Sequence, residues 1–162
     1  YCKVFYPLAY YFAYFSIRAD AFDYEKMAMG RERLEYYLDI YKAKKADGTI
    51  EKTELDEYKD MRIVQEMYAR GYEFTPIDIY KAKARSFQII DGKIMPSFKV
   101  VSKIGESAGE SIEIAARGGK FLSKDDLRQR AKIGQTVIDK LSELKLLDGM
   151  AESNQLSLFD VL

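Results

Sequence analysis

The sequence predicts a mainly α-helical protein with a small β-hairpin and an extended C-terminal tail. Three observations carry this. Apolar residues recur at helical spacing between recognisable start and stop signals from Pro7 to Gly71. Two apolar runs flank Asp91-Gly92, the dipeptide that favours a tight antiparallel reversal. After Asp148-Gly149 the spacing fits no helix, yet the chain closes on NQLSLFDVL, an apolar cluster in a segment where chain ends normally fray.

The run PLAYYFAYFSIR from Pro7 to Arg18 is almost wholly apolar, and Pro7 suits the first turn of a helix expected to be buried on most sides. Its aromatic residues are core rather than ligand site. Asp23 is placed to cap the next segment, in which Met27, Leu34, Leu38 and Tyr41 keep helical spacing up to a charged KAKKADG loop, with Gly30 as a break. Thr53 opens a third helix with an acidic first turn, TELDEY; Ile63, Met67 and Tyr68 form its inner face and Gly71 stops it. The texture then changes: FTPIDIYKA and SFQIIDGKIMPSF read as short strands, and short helices return from Phe98. A subdomain boundary is expected near Tyr72 to Thr75.

Composition excludes several classes of function. The chain has 26 Lys+Arg against 26 Asp+Glu, so a polyanionic partner must be met by a local patch. It has one cysteine and no histidine, which removes an internal disulfide, cysteine-rich zinc sites and histidine-based catalysis. Ser107 and Ser157 have no histidine to activate them, the acidic residues such as Glu51 to Glu57 lie on amphipathic helices rather than converging, and Gly118-Gly119-Lys120 is a turn rather than a nucleotide cradle. The apolar opening, interrupted by Lys3, Pro7 and Arg18, carries neither a cleavable signal nor a membrane span, so the cytoplasm is the expected location. Because the chain opens on Tyr1 within an apolar pattern, it is expected to be a piece of something longer.

The second half holds a near-repeat. KIGESAGESI (103–112) and KIGQTVIDKL (132–141) share Lys-Ile-Gly ahead of a helical pattern, 29 residues apart. A short turn ending in glycine before a helix presents free backbone N–H groups at the positive end of that helix, and such a turn holds a phosphate without reading a base. The plainer alternative is that Gly105 and Gly134 only satisfy turn geometry. Local charge favours the phosphate reading: Lys99, Lys103, Arg117, Lys120, Lys124, Arg128, Arg130 and Lys132 face five acidic residues over the same stretch.

These turns resemble tandem helix-hairpin-helix elements. FYPLAYYFAYFSIRADAFD (5–23), ARGYEFTPIDIYKAKARSFQIIDGKIMPSF (69–98) and the terminal NQLSLF together resemble, in order and over nearly the whole chain, the C-terminal end of PolC-type DNA polymerase III alpha subunits, the replicative polymerases of low-GC Gram-positive bacteria. The resemblance implies a helical fingers portion over residues 1–72, a duplex-DNA-binding tandem helix-hairpin-helix domain over 73–150, and a tail over 151–162 bearing a sliding-clamp motif. It implies duplex contact at Lys99, Lys103, Ile104, Gly105, Arg117, Lys120, Lys132, Ile133 and Gly134, and clamp contact at Gln155, Leu156, Leu158 and Phe159. In the fingers portion, which the resemblance puts beside template and nucleotide, Arg18, Lys26 and Arg31 are the cations to test for such contact, with plain surface charge as the equal alternative. The MAESN stretch before the motif reads as a flexible leader.

By the same resemblance the parent enzyme is a DNA-directed DNA polymerase, a nucleotidyltransferase using magnesium, whose catalytic palm lies in other sequence. This portion then needs no cofactor and is inactive alone, with duplex DNA, the beta sliding clamp and other replisome subunits as partners. Two departures stand out. The family usually has histidine before the proline where this chain has Phe5 and Tyr6, and lysine replaces the first glycine of the usual Gly-x-Gly turn at both Lys103 and Lys132. A free-standing clamp-associated repair or scaffold protein is the alternative reading.

Overall fold

The structure, a computed structural model, describes residues 1–153. They form two compact units: Tyr1–Pro76 with Ser86–Pro96, and Ile77–Arg85 with the chain from Ser97 onward. The hairpin, which lies beyond residue 73 in sequence, groups with the first unit.

In the first unit, α1 (Cys2–Phe5) leads into α2 (Pro7–Ile17), which starts with Pro7 in its first turn. A 3-10 turn (Ala19–Ala21) precedes α3 (Tyr24–Met27), where the Asp23 carboxylate accepts from the N–H groups of Glu25 and Lys26. Helices α4 (Arg31–Asp47) and α5 (Lys52–Ala69) follow. Helix α2 is not buried on most sides: Tyr11 and Phe15 point inward, while Ala9, Ala13 and Ile17 are exposed. The apolar run therefore overstated burial, because one helix face suffices to build the core.

That core is aromatic. Phe15, Phe22 and Phe74 pack with ring centroids 5.2–5.6 Å apart, and Phe87 joins Phe22 at 5.3 Å. Edge-to-face contacts of this kind add to the burial energy. The Tyr68 hydroxyl donates to the Met27 carbonyl at 2.6 Å, and burial pushes its phenol well above the ordinary value.

The KAKKADG stretch is not a loop: α4 continues through Asp47, and Gly48 (φ 76°) ends it. Lysine and alanine are strong helix formers, so the polar composition hid a solvated helical end. Helix α5 starts at Lys52, and its inner face is Tyr58, Met61, Val64 and Met67, with Ile63 and Tyr68 half-buried.

Strands β1 (Gln88–Ile90) and β2 (Lys93–Met95) form the antiparallel hairpin, with Asp91 (φ 52°) and Gly92 (φ 76°) supplying the reversal. FTPIDIYKA is not a strand. Only Phe74 bridges, to Ile94, and Asp78 starts a turn by accepting from the N–H groups of Lys81 and Ala82.

The second unit holds a 3-10 turn (Phe98–Val100), α6 (Glu106–Ala116), α7 (Lys124–Ala131) and α8 (Gln135–Glu143). Its core contains Phe98, Ile104, Ile112, Leu127 and Leu141, each at most 1% exposed. Gly109 lets α6 approach closely: a Cβ there would sit 2.8 Å from Phe98 Cβ and 3.4 Å from Ala84 Cα. The Glu113 carboxylate then accepts from the Ala84 N–H at 3.0 Å. We expect Gly109→Ala to destabilise this unit by about 1–3 kcal/mol, as overpacking does, measured by chemical denaturation.

Candidate nucleic-acid interface

The candidate interface consists of two turns of the same local geometry. In the first, Lys103 adopts a left-handed conformation (φ 70°), Ile104 is buried at 1% exposure, and Gly105 is the extended N-cap of α6. In the second, Lys132 is left-handed (φ 54°), Ile133 is buried at 8%, and Gly134 is the extended N-cap of α8. Each isoleucine anchors its turn in the core, and each lysine and glycine faces solvent.

The sequence repeat is thus a structural repeat of the turns, although what precedes them differs. Helix α7 leads into the second turn, whereas the 3-10 turn at Phe98–Val100 leads into the first.

The two glycines are informative. Neither needs glycine for its backbone, with φ of −69° and −79°. Neither needs it for internal packing, since a Cβ at either position would meet nothing within 4 Å. Both hold N-cap positions, where glycine is common, and the open space around each admits close approach from outside. No side chain caps α6 or α8, so the orphan N–H groups of each first turn lie open beside an exposed lysine. The arrangement suits a phosphate: backbone donors, the positive end of a helix dipole and a mobile cation.

The remaining basic residues divide. Lys120 and Arg128 are exposed. Arg117, also exposed, forms a 3.6 Å ion pair with Glu113 one turn back. Lys99 is half-buried on the 3-10 turn, and its N–H donates to the Ala84 carbonyl at 3.0 Å.

Two members of the basic count serve the fold. Lys124 pairs with Glu152 at 2.7 Å. Arg130 donates to the carbonyls of Lys120 (3.0 Å), Ala115 (2.9 Å) and Gly119 (3.2 Å), with its guanidinium 4.5 Å from the centre of the Phe121 ring. The sequence offered one hint of this, Asp126 four residues before Arg130; the carbonyls it gathers come from a turn no periodicity marks.

The first-unit cations are likewise engaged. Arg18 Nε donates to Asp60 Oδ1 at 2.7 Å, and the Tyr14 hydroxyl donates to the same oxygen at 2.9 Å. Asp60 is only 2% exposed. Lys26 donates to the Tyr41 hydroxyl at 2.8 Å and pairs with Glu57 at 3.0 Å. Burial pulls the Lys26 ammonium down, but those two partners outweigh it and its pKa ends raised. Arg31 pairs with Glu35 at 3.2 Å.

Gln155, Leu156, Leu158 and Phe159 lie outside the described residues. The leader before them is attached to α7: the N–H groups of Lys124 and Asp125 donate to the carbonyls of Ala151 (2.8 Å) and Glu152 (3.2 Å). The expected flexible leader is therefore held as far as Glu152, because the uncapped donors at the start of α7 need acceptors.

Among the described residues no group of three or more acidic, cysteine or histidine side chains could hold a metal ion. No described helix is long and apolar enough to cross a membrane.

The family model of the helix-hairpin-helix motif matches residues 71–156, a stretch that contains both turns. Along its full length the chain is 38% identical to DNA polymerase III PolC-type of Streptococcus pneumoniae serotype 2, strain D39. Over 99% of its length it is 40% identical to the protein of that name from Streptococcus suis, strain 98HAH33, and 39% identical to that from Streptococcus pyogenes serotype M2. In each case the chain spans 11% of the relative's own length. It belongs to the helix-hairpin-helix family, and its whole length is similar to one segment of PolC-type DNA polymerase III.

Proposed function

We propose that this chain is the duplex-holding segment of a PolC-type replicative DNA polymerase, gripping the sugar-phosphate backbone of product DNA through the turns at Lys103-Ile104-Gly105 and Lys132-Ile133-Gly134. The observation that carries this is the pair of N-cap glycines required by neither backbone nor packing, each beside a solvent-facing lysine and uncapped helix donors. Residues 1–72 are the fingers portion, residues 73–150 the duplex-binding domain, and residues 151–162 a tail that reaches the beta sliding clamp through Gln155, Leu156, Leu158 and Phe159.

Nucleotidyl transfer and its magnesium belong to the parent polymerase; no step is assigned to a metal in this segment, which acts in the cytoplasm by holding DNA and does no chemistry alone. Arg18 and Lys26 serve the fold through the carboxylates of Asp60 and Glu57, while Arg31 keeps only an exposed surface pair with Glu35.

Phosphate contacts carry no sequence information, so affinity is expected to be similar for unrelated duplexes. The Lys103→Glu/Lys132→Glu double variant is expected to bind unrelated duplexes more weakly by a common factor of at least about tenfold, as reversed charges at two phosphate sites imply. Fluorescence anisotropy checks this; unchanged affinity would remove the turns from the interface.

A further inference from the structure

Four non-glycine residues among those described have positive φ, and three of them are lysines: Lys103, Lys132 and Lys145 (φ 60°). The fourth, Asp91, belongs to a tight hairpin turn, where aspartate is common. Lysine is not. A left-handed backbone favours glycine and, after it, asparagine or aspartate.

Lys145 repeats the setting of Lys132. Helices α7 and α8 share one closing bond, although Lys132 follows α7 directly and Leu144 stands between α8 and Lys145: the Ile133 N–H donates back to the Arg128 carbonyl at 3.2 Å, and the Leu146 N–H donates back to the Leu141 carbonyl at 2.9 Å. In both, the bond runs from the residue after the left-handed lysine to the carbonyl five residues earlier. Glycine is the usual occupant of that left-handed position.

Lys145 is exposed, and among the described residues its ammonium has no carboxylate partner. The nearest acidic residue before it in sequence, Glu143, faces Lys140 at 3.7 Å. The buried Leu144 and Leu147 on either side fix its backbone while the side chain faces water. A lysine just past a helix also complements the carbonyl end of that helix, but glycine there would satisfy the same carbonyls without strain.

We infer that Lys145 is a third phosphate-binding lysine, extending the nucleic-acid surface beyond the two repeated turns to the far end of α8. This rests on the proposed function. The chemical class of ligand is the same, a nucleic-acid phosphodiester. The charge of the lysine matters; its left-handed backbone is a strain the fold tolerates.

The experiment compares the 162-residue chain with its Lys145→Asn and Lys145→Arg variants, titrated with a random-sequence DNA duplex by fluorescence anisotropy across a salt series. Asparagine tolerates the left-handed backbone and carries no charge, so the fold is kept. Lys145→Asn is expected to lower affinity about threefold at low salt, the scale of one exposed ion pair. It should also flatten the slope of log K against log salt by about 0.9, the share of one phosphate. Lys145→Arg should restore both, and thermal melting of Lys145→Asn should be unchanged or higher. Wild-type affinity and slope in Lys145→Asn, while Lys103→Glu/Lys132→Glu loses both, would overturn the inference and leave the proposed function standing. Absence of duplex binding by the wild type would overturn the two together.

Discussion

Replacing Arg130 by alanine is expected to lower the stability of the second unit by about 2–3 kcal/mol, the scale of losing charge-assisted hydrogen bonds to carbonyls, reduced because the side chain is 29% exposed. One guanidinium holds the carbonyls of Ala115, Gly119 and Lys120 and lies over Phe121, so the turn between α6 and α7 loses its organiser in a single substitution. Arg130→Lys should not rescue it. An ammonium is a point charge and cannot span three carbonyls while stacking on a ring. In a thermal melt followed by circular dichroism the loss corresponds to a fall of roughly 8–24 °C for a unit of this size. A variant that melted like the wild type but bound duplex more weakly would return Arg130 to the interface.

The second large effect is expected at the C-terminal tail. Deleting residues 155–162 should abolish binding to the bacterial sliding clamp while leaving folding and duplex affinity intact. In the proposed role, Leu156, Leu158 and Phe159 fill an apolar pocket on the clamp and the Gln155 amide fixes register at its edge. Burial of each large side chain contributes about 1.5–3 kcal/mol before ordering is subtracted, which supports micromolar affinity. Threading the clamp on the same duplex then raises the effective concentration, so a weak contact becomes a processive hold. The deletion leaves the carbonyls of Ala151 and Glu152 in place to accept from α7, so the melting temperature should hold. Surface plasmon resonance against immobilised clamp reads the outcome. Unchanged clamp affinity, or a large drop in melting temperature, would mean that the tail serves the core.

Much of the fold was legible where chemistry is local. Asp23 as a cap, Gly30 as a break, the Asp91-Gly92 reversal and the repeated Lys-Ile-Gly turns each follow from one or two residues whose backbone or side chain admits few alternatives. The failures were tertiary. FTPIDIYKA alternates like a strand, yet it bridges only through Phe74, and a strand exists only where a neighbour completes it. The apolar run of α2 could not reveal that Tyr11 and Phe15 alone are fully buried, nor the charge of KAKKADG that the helix runs through it.

The site divides in the same way. Lys103-Ile104-Gly105 and Lys132-Ile133-Gly134 were readable as repeated turns before helices, but Ile104 and Ile133, counted by the resemblance among the duplex contacts, are buried and anchor the turns in the core. The counting of Arg130 and Lys124 as interface charge was not safe, because a cation's partner is set by the fold and not by its sequence neighbours. Lysine at the first glycine position of each turn left two readings open, a weaker grip or a compensating charge. The structure places both in the left-handed conformation glycine would have taken, so the turn keeps its shape and gains a charge.

The most direct test of backbone holding is the salt dependence of duplex binding by the whole chain. Each neutralised phosphate contributes a slope of about −0.9 in log K against log salt. Two turns, with a few flanking cations, predict a linear plot with a slope of about −2 to −4, the same for two duplexes of unrelated sequence. Affinity that is insensitive to salt, or confined to one of the two sequences, would contradict it.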